Sequence, residues 1–98
     1  MSVQIIQQFE KIFPRTEDGK PTWFWFEERG WHVEEVVQYV QLEEADFFLC
    51  KIRSERCLQL VIRWNSEWYR FFVLYPPNVQ RYESELQAIL ECLKEECR

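Results

Sequence analysis

Glycine is nearly missing from this chain: Gly19 and Gly30 are the two it has. No Gly-rich loop can be built from them, which excludes the phosphate-cradling P-loop and the dinucleotide fingerprint. Histidine is scarcer still. His32 stands alone, so any Ser-His-Asp or Cys-His catalytic arrangement would have to use it. Beside Trp31 it reads instead as an ordinary surface or aromatic-packed side chain. No apolar run approaches the roughly 18 residues of a membrane span. The first residues, Ser2-Val3-Gln4-Ile5-Ile6-Gln7-Gln8, lack the basic and apolar regions of a secretory leader. No Gly follows Met1 for myristoylation, and Cys97-Arg98 is not a prenylation box. The expectation is a cytoplasmic protein, without a membrane, whose thiols stay reduced.

Basic excess is also missing. The net charge is −5, against the sign of a non-specific nucleic-acid protein. The charge is not evenly spread. Residues 27–46 carry seven acids against Arg29, whereas residues 47–81 carry six bases against two acids. A basic middle with acidic flanks results.

Four cysteines are present, Cys50, Cys57, Cys92 and Cys97, and none has the paired C-x₂-C spacing of structural zinc. They read as small hydrophobes with inert thiols. No metal and no cofactor is expected. The adjacent acids Glu27-Glu28, Glu34-Glu35, Glu43-Glu44 and Glu95-Glu96 resemble acid/base pairs. Neighbours on a strand point to opposite faces, so such pairs cannot converge on one bond. They serve solubility better than catalysis.

Aromatic residues are abundant instead, at 17% with five Trp, eight Phe and four Tyr. Ninety-eight residues suit a single domain spanning 1–98 with one bulky core. Ser2 can cap a helix over 3–13, in which Ile5, Ile6, Phe9, Ile12 and Phe13 recur at helical spacing until Pro14. Residues 14–22, with two prolines and Gly19, read as a loop. Trp23–Phe26 is a short strand or an apolar flap. Over 31–42, Val33, Val36, Val37 and Val40 sit at helical spacing, yet the valines and Tyr39 favour a strand in which Glu34-Glu35 forms a bulge.

Strands are expected at 47–53, 57–64 and 67–75, the last two joined through Asn65-Ser66. After Pro76-Pro77, Asn78 can cap a final helix with Tyr82, Leu86, Ile89, Leu90, Leu93 and Cys97 on one stripe. The predicted fold class is therefore α+β: an N-terminal helix, an antiparallel β-meander of three to four strands, and a C-terminal helix packed on one face of the sheet.

Alternation then divides the sheet. With a three-residue turn at 54–56, one face collects Phe48, Cys50, Ile52, Leu58, Leu60, Ile62, Trp64, Tyr69, Phe71 and Val73 and forms the core. The opposite face interleaves basic and aromatic groups, with Lys51, Arg53, Arg63, Trp68, Arg70 and Phe72 as candidate partner-binding residues. A half-solvated face with snorkelling Arg stems is the bland reading. The functional one is a non-enzymatic interaction module, a homodimer or the binder of a protein partner. A single-stranded nucleic-acid binder using the same face is the alternative, disfavoured by the acidic charge. A small-molecule site beneath Trp23–Phe26 is a further one.

Overall fold

In a computed structural model the chain forms six antiparallel strands closed into a barrel, followed by one helix. Residues 4–55, 58–74 and 83–96 are described, with side chains over 10–55, 58–70 and 86–96. The strands are β1 (Gln4–Glu17), β2 (Lys20–Phe26), β3 (Arg29–Gln41), β4 (Ala45–Ile52), β5 (Leu58–Trp64) and β6 (Glu67–Leu74), and the helix is α1 (Glu83–Glu96). Each strand pairs with the next in sequence, and β6 pairs back onto β1. Closure gives every strand two neighbours, although Gln4–Ile12 of β1 pair only with β6 and Val33–Gln41 of β3 only with β4. Among the described residues no helix is long and apolar enough to cross a membrane.

The α+β expectation fails at its first element. Residues 3–13 do not form a helix: from Gln4 onward they belong to β1. The spacing comes from apolar residues on both sides of the strand: by register Ile5, Phe9 and Phe13 take outer positions and Ile6 and Ile12 inner ones, so apolar residues recur three or four apart as in a helix. Ile6 lies opposite Phe72 and Phe9 opposite Phe71, so two extra residues are inserted between them, an irregularity that bends the strand without changing which positions face inward. Pro14 does not end the element. β1 leaves β6 after Ile12 and pairs with β2 from Phe13 onward, and a proline just past such a change of partner lacks an N–H that one side does not need. The expected loop at 14–22 is instead a tight hairpin, with Glu17 opposite Lys20.

Helical spacing misleads again at Val33, Val36, Val37 and Val40, and here the strand reading holds. β3 shifts register between Val33 and Glu35 and again between Val36 and Gln38. The first shift is the bulge that Glu34-Glu35 suggested. Both let a long strand bend, pairing with β2 over Arg29–His32 and with β4 over Val33–Gln41. The meander thus has six strands rather than three or four.

Three two-residue loops turn the chain: Asp18-Gly19, Glu27-Glu28 and Asn65-Ser66. All six residues have positive φ, between 50° and 78°, as hairpins require to match strand twist. Asp-Gly and an Asn suit that geometry; two glutamates do not.

The turn after β4 is longer than expected. Lys51, not Ile52, lies opposite Leu58, so the loop holds one residue more, and a one-residue slip exchanges the faces of a strand. Phe48, Cys50 and Ile52 therefore leave the face of Leu60 and Ile62 and join that of Val61. Ala45, Phe47 and Leu49 replace them. Both faces of this region are buried. On the inside, Phe48, Cys50, Ile52 and Val61 pack with Ile12, Phe24, Phe26 and Trp31 in the barrel's interior. On the outside, Ala45, Phe47, Leu49, Leu60, Ile62 and Tyr69 meet Leu86, Ile89, Leu90 and Leu93 of α1. The apolar stripe of the final helix is thus as read, while Asn78, Tyr82 and Cys97 lie outside the described residues.

Two predictions follow from this frame. Glu28→Gly removes a side chain from a left-handed position (φ 60°) and should raise stability by about 1 kcal/mol, read as a higher urea midpoint with unchanged slope. Burial pushes the Cys50 thiol up to about 12, so below that pH it stays protonated. Peptide mapping after native iodoacetamide treatment at pH 8 should find Cys50 unmodified and the exposed Cys92 alkylated, with Cys50 labelled only after unfolding.

Candidate functional site

The residues singled out from the sequence do not share a surface. Register puts Arg63, Trp68 and Arg70 on the inward-facing side of β5 and β6, together with Gln59 and Val61. Phe72 occupies the position opposite Gln59 on that same side; its side chain lies outside the described set. Lys51 belongs to the outer side of β4, with its ammonium 3.7 Å from Glu34. Arg53 sits in the turn beyond β4 and donates its backbone N–H to the His32 carbonyl at 2.9 Å. What was read as a leftover face is largely barrel interior.

Arg70 is the clearest case. It is 5% exposed and donates from Nε to Gln59 Oε1 at 2.7 Å. Its guanidinium lies 3.9 Å from the centre of the Phe26 ring and 5.8 Å from that of Trp31. Burial lowers its pKa, while Glu27, Glu10 and Glu55 oppose the shift. A delocalised, weakly hydrated cation between aromatic faces is the form in which a positive charge is best tolerated inside a protein.

Trp31 supports the same arrangement from β3. Its Nε1–H donates to the Phe26 carbonyl at 2.9 Å, and Arg29 covers its outer side at 3.7 Å while bonding Glu55 at 3.0 Å. At the opposite mouth Trp68 packs on Phe48, with ring centres 5.5 Å apart, under Arg63 at 5.9 Å. These groups build the barrel.

The exposed aromatic surface lies elsewhere, on the outer face of β1, β2 and the start of β3. Phe24 and Phe26 of β2 point inward and are buried, so Trp23 and Trp25 point outward. Phe13 is directly opposite Trp25, Arg15 opposite Trp23, and Trp23 opposite His32. Phe13 is 70% exposed and Trp25 52%. Trp23 and Trp25 have ring centres 6.1 Å apart. Arg15 stacks 5.0 Å over Trp23, Lys11 lies 5.8 Å from Phe13, and the His32 ring meets Trp23 edge-on at 6.5 Å.

Gly30 makes this layout possible. A Cβ there would come within 2.5 Å of the Trp23 ring, so only glycine lets that indole lie flat across the neighbouring strand.

The reading of the sequence missed this platform because it assigned 3–13 to a helix and 14–22 to a loop. The signal was present. Asp18-Gly19 is a leading hairpin dipeptide, and the alternation of Lys11, Phe13 and Arg15 on one side of it matches Trp23 and Trp25 on the other.

Two open clefts also mark the surface of the barrel. One, of about 310 Å³, runs between the Asp18-Gly19 turn and the bulge of β3, beside Glu17, Asp18, Lys20, Glu34 and Glu35. The other, of about 240 Å³, is lined by Glu43, Glu44, Asp46, Arg63 and Asn65. Both are shallow and crowded with carboxylates, unlike an apolar cavity with a few converging polar groups.

Truncation separates the two aromatic regions. Arg70→Ala opens a cavity against Phe26 and removes the donor to Gln59, and should lower stability by about 3 kcal/mol in chemical denaturation. Trp25→Ala, on the exposed platform, should shift it by less than about 1 kcal/mol.

Compared with protein-family models, curated proteins and solved structures, the chain matches none of them.

Proposed function

We propose that this chain is a non-enzymatic interaction module that docks a protein surface on the outer face of β1, β2 and β3. The observation that carries the reading is an asymmetry of cover. The outer face of β4–β6 is sealed by α1, with Leu90 and Leu93 almost fully buried. The outer face of β1, β2 and the start of β3 carries Phe13 and Trp25 side by side, each residue more than half exposed. Exposed Trp and Phe flanked by Arg and Lys form the composition of interface hot spots. Apolar patches of this kind mark docking sites rather than ordinary surface.

Strand pairing argues against one mode of recognition on this face. Because β2 is flanked by β1 on one side and β3 on the other, a peptide cannot be added beside Trp23 and Trp25 as a further strand, so a partner there must meet side chains.

In-cell photo-crosslinking tests this reading. A benzophenone amino acid replaces Trp25 in one variant and Glu91, on the exposed side of α1, in another. A discrete protein adduct from position 25 and none from position 91 is the expected result. No adduct at position 25, or an adduct to nucleic acid, overturns it.

A further inference from the structure

We propose that the free edge of β3, from Val33 to Gln41, takes up an extended segment of a partner protein as an added strand, and that this segment carries apolar residues followed by Lys or Arg. The edge begins where the aromatic platform ends, and it is read through the backbone rather than through exposed rings.

β3 changes neighbours along its length. Arg29–His32 pair with β2, whereas Val33–Gln41 pair with β4 alone. β2 turns away from this second half: Lys20 and Pro21 pair with β1 and have no partner on β3. Where the two strands part, the cleft of about 310 Å³ opens, with Lys20, Pro21 and Thr22 on one wall and Val33–Val36 on the other. Beyond it the edge continues past Val37 and Tyr39, 45% and 46% exposed. Among the described residues no strand or loop bonds the backbone on this side of β3.

A row of unpaired N–H and C=O groups is a template for a further strand, and proteins guard such edges with lysine, proline or bulges. Val33–Gln41 contains neither lysine nor proline. Its two bulges leave Glu34 and Val37 as the extra residues, and past them Gln38–Gln41 pair with β4 without a shift. That stretch presents a regular edge.

Charge identifies the occupant. The cleft is walled by Glu17, Asp18, Glu34 and Glu35 against a single base, Lys20, and the nearby Lys51 already lies 3.7 Å from Glu34. An added strand therefore meets carboxylates at the Val33 end and apolar side chains at Val37 and Tyr39. Antiparallel pairing is the more stable arrangement, and it runs the guest from Gln41 toward Val33. Its apolar residues then come first and its bases follow. A second copy of this chain would offer the same edge, which holds no base to meet those carboxylates.

Titration of the full chain with a fluorescein-labelled probe peptide, Thr-Val-Thr-Val-Lys-Thr-Arg-Lys amide, tests the proposal by anisotropy. The expected result is saturable binding that weakens as salt is added. Two forms of the peptide, N-methylated at alternate residues, separate strand pairing from simple charge attraction. Methyl groups on the edge facing β3 should abolish binding, and those on the other edge should leave it within about threefold. Glu34→Lys combined with Glu35→Lys should raise the dissociation constant at least about tenfold. The same charge change on α1, Glu95→Lys with Glu96→Lys, should keep it within about twofold. Should the β3 variant fail to fold, the methylated pair decides with the parent chain. Absence of saturable binding overturns the proposal, as does an equal response to the two methylations or an equal loss from the two charge reversals. A dimer of the chain that excludes the peptide puts a second copy on the edge and overturns it too.

Discussion

Burial of β4 and β5 on both faces is the constraint from which the rest of the molecule follows. From Ala45 to Cys50 only Asp46 escapes full burial, and Leu60, Val61 and Ile62 are each at most 1% exposed. Such strands cannot face water on either side, as the strands of an ordinary antiparallel sheet can. One side needs the helix. The other needs the remaining strands to curl round and close over it, which β1 and β3 achieve by bending at bulges. The apolar area so removed from water is the main favourable contribution to the fold.

Closure has a consequence for polar groups. Because the inward side of β5 and β6 contains Gln59 and Arg70, the barrel has to solvate a guanidinium without water. It does so with an amide oxygen at 2.7 Å and the ring of Phe26. Trp31, whose Nε1–H is satisfied by the Phe26 carbonyl, places a second ring within reach. Arg29 and Glu55 then close that end from outside by an ion pair between the β2–β3 and β4–β5 turns. Exposed ion pairs such as this one add little stability; this one brings together two turns far apart in sequence. Covering the outer side with a single helix has the opposite effect. Helix α1 covers β4–β6 and the end of β3 at Val40, and leaves the outer side of β1, β2 and the start of β3 to the solvent, with Gly30 allowing Trp23 to spread across it.

Much of this was legible in the residues. The strands β4, β5 and β6 and the stripe Leu86, Ile89, Leu90 and Leu93 follow from short-range pattern, and the two-residue turn at Asn65-Ser66 set the β5–β6 register correctly. Helical spacing arose in two places for two reasons. Over Val33–Val40 single inserted residues shift the alternation, and a bulged strand then shows the apolar spacing of a helix; over Ile5–Phe13 apolar residues occupy both the inner and the outer side of β1. In β3 the weight of β-branched side chains corrected the reading; in β1, with its glutamines and Pro14, it did not. Two long-range features misplaced the candidate site. A loop one longer between β4 and β5 exchanged the faces of β4. The barrel's closure then turned the side of Arg63, Trp68 and Arg70 inward.

The sequence by itself determined the local elements of the second half and the scarcity of glycine and histidine that excludes whole classes of chemistry, because each is legible within a few positions or in the composition alone. Only the tertiary structure decided which side of each strand meets water. That choice depends on the pairing of β1 with β6, on two bulged strands and on where a 14-residue helix comes to rest. These are contacts between residues far apart in the chain, whose register a one-residue change in a loop is enough to invert.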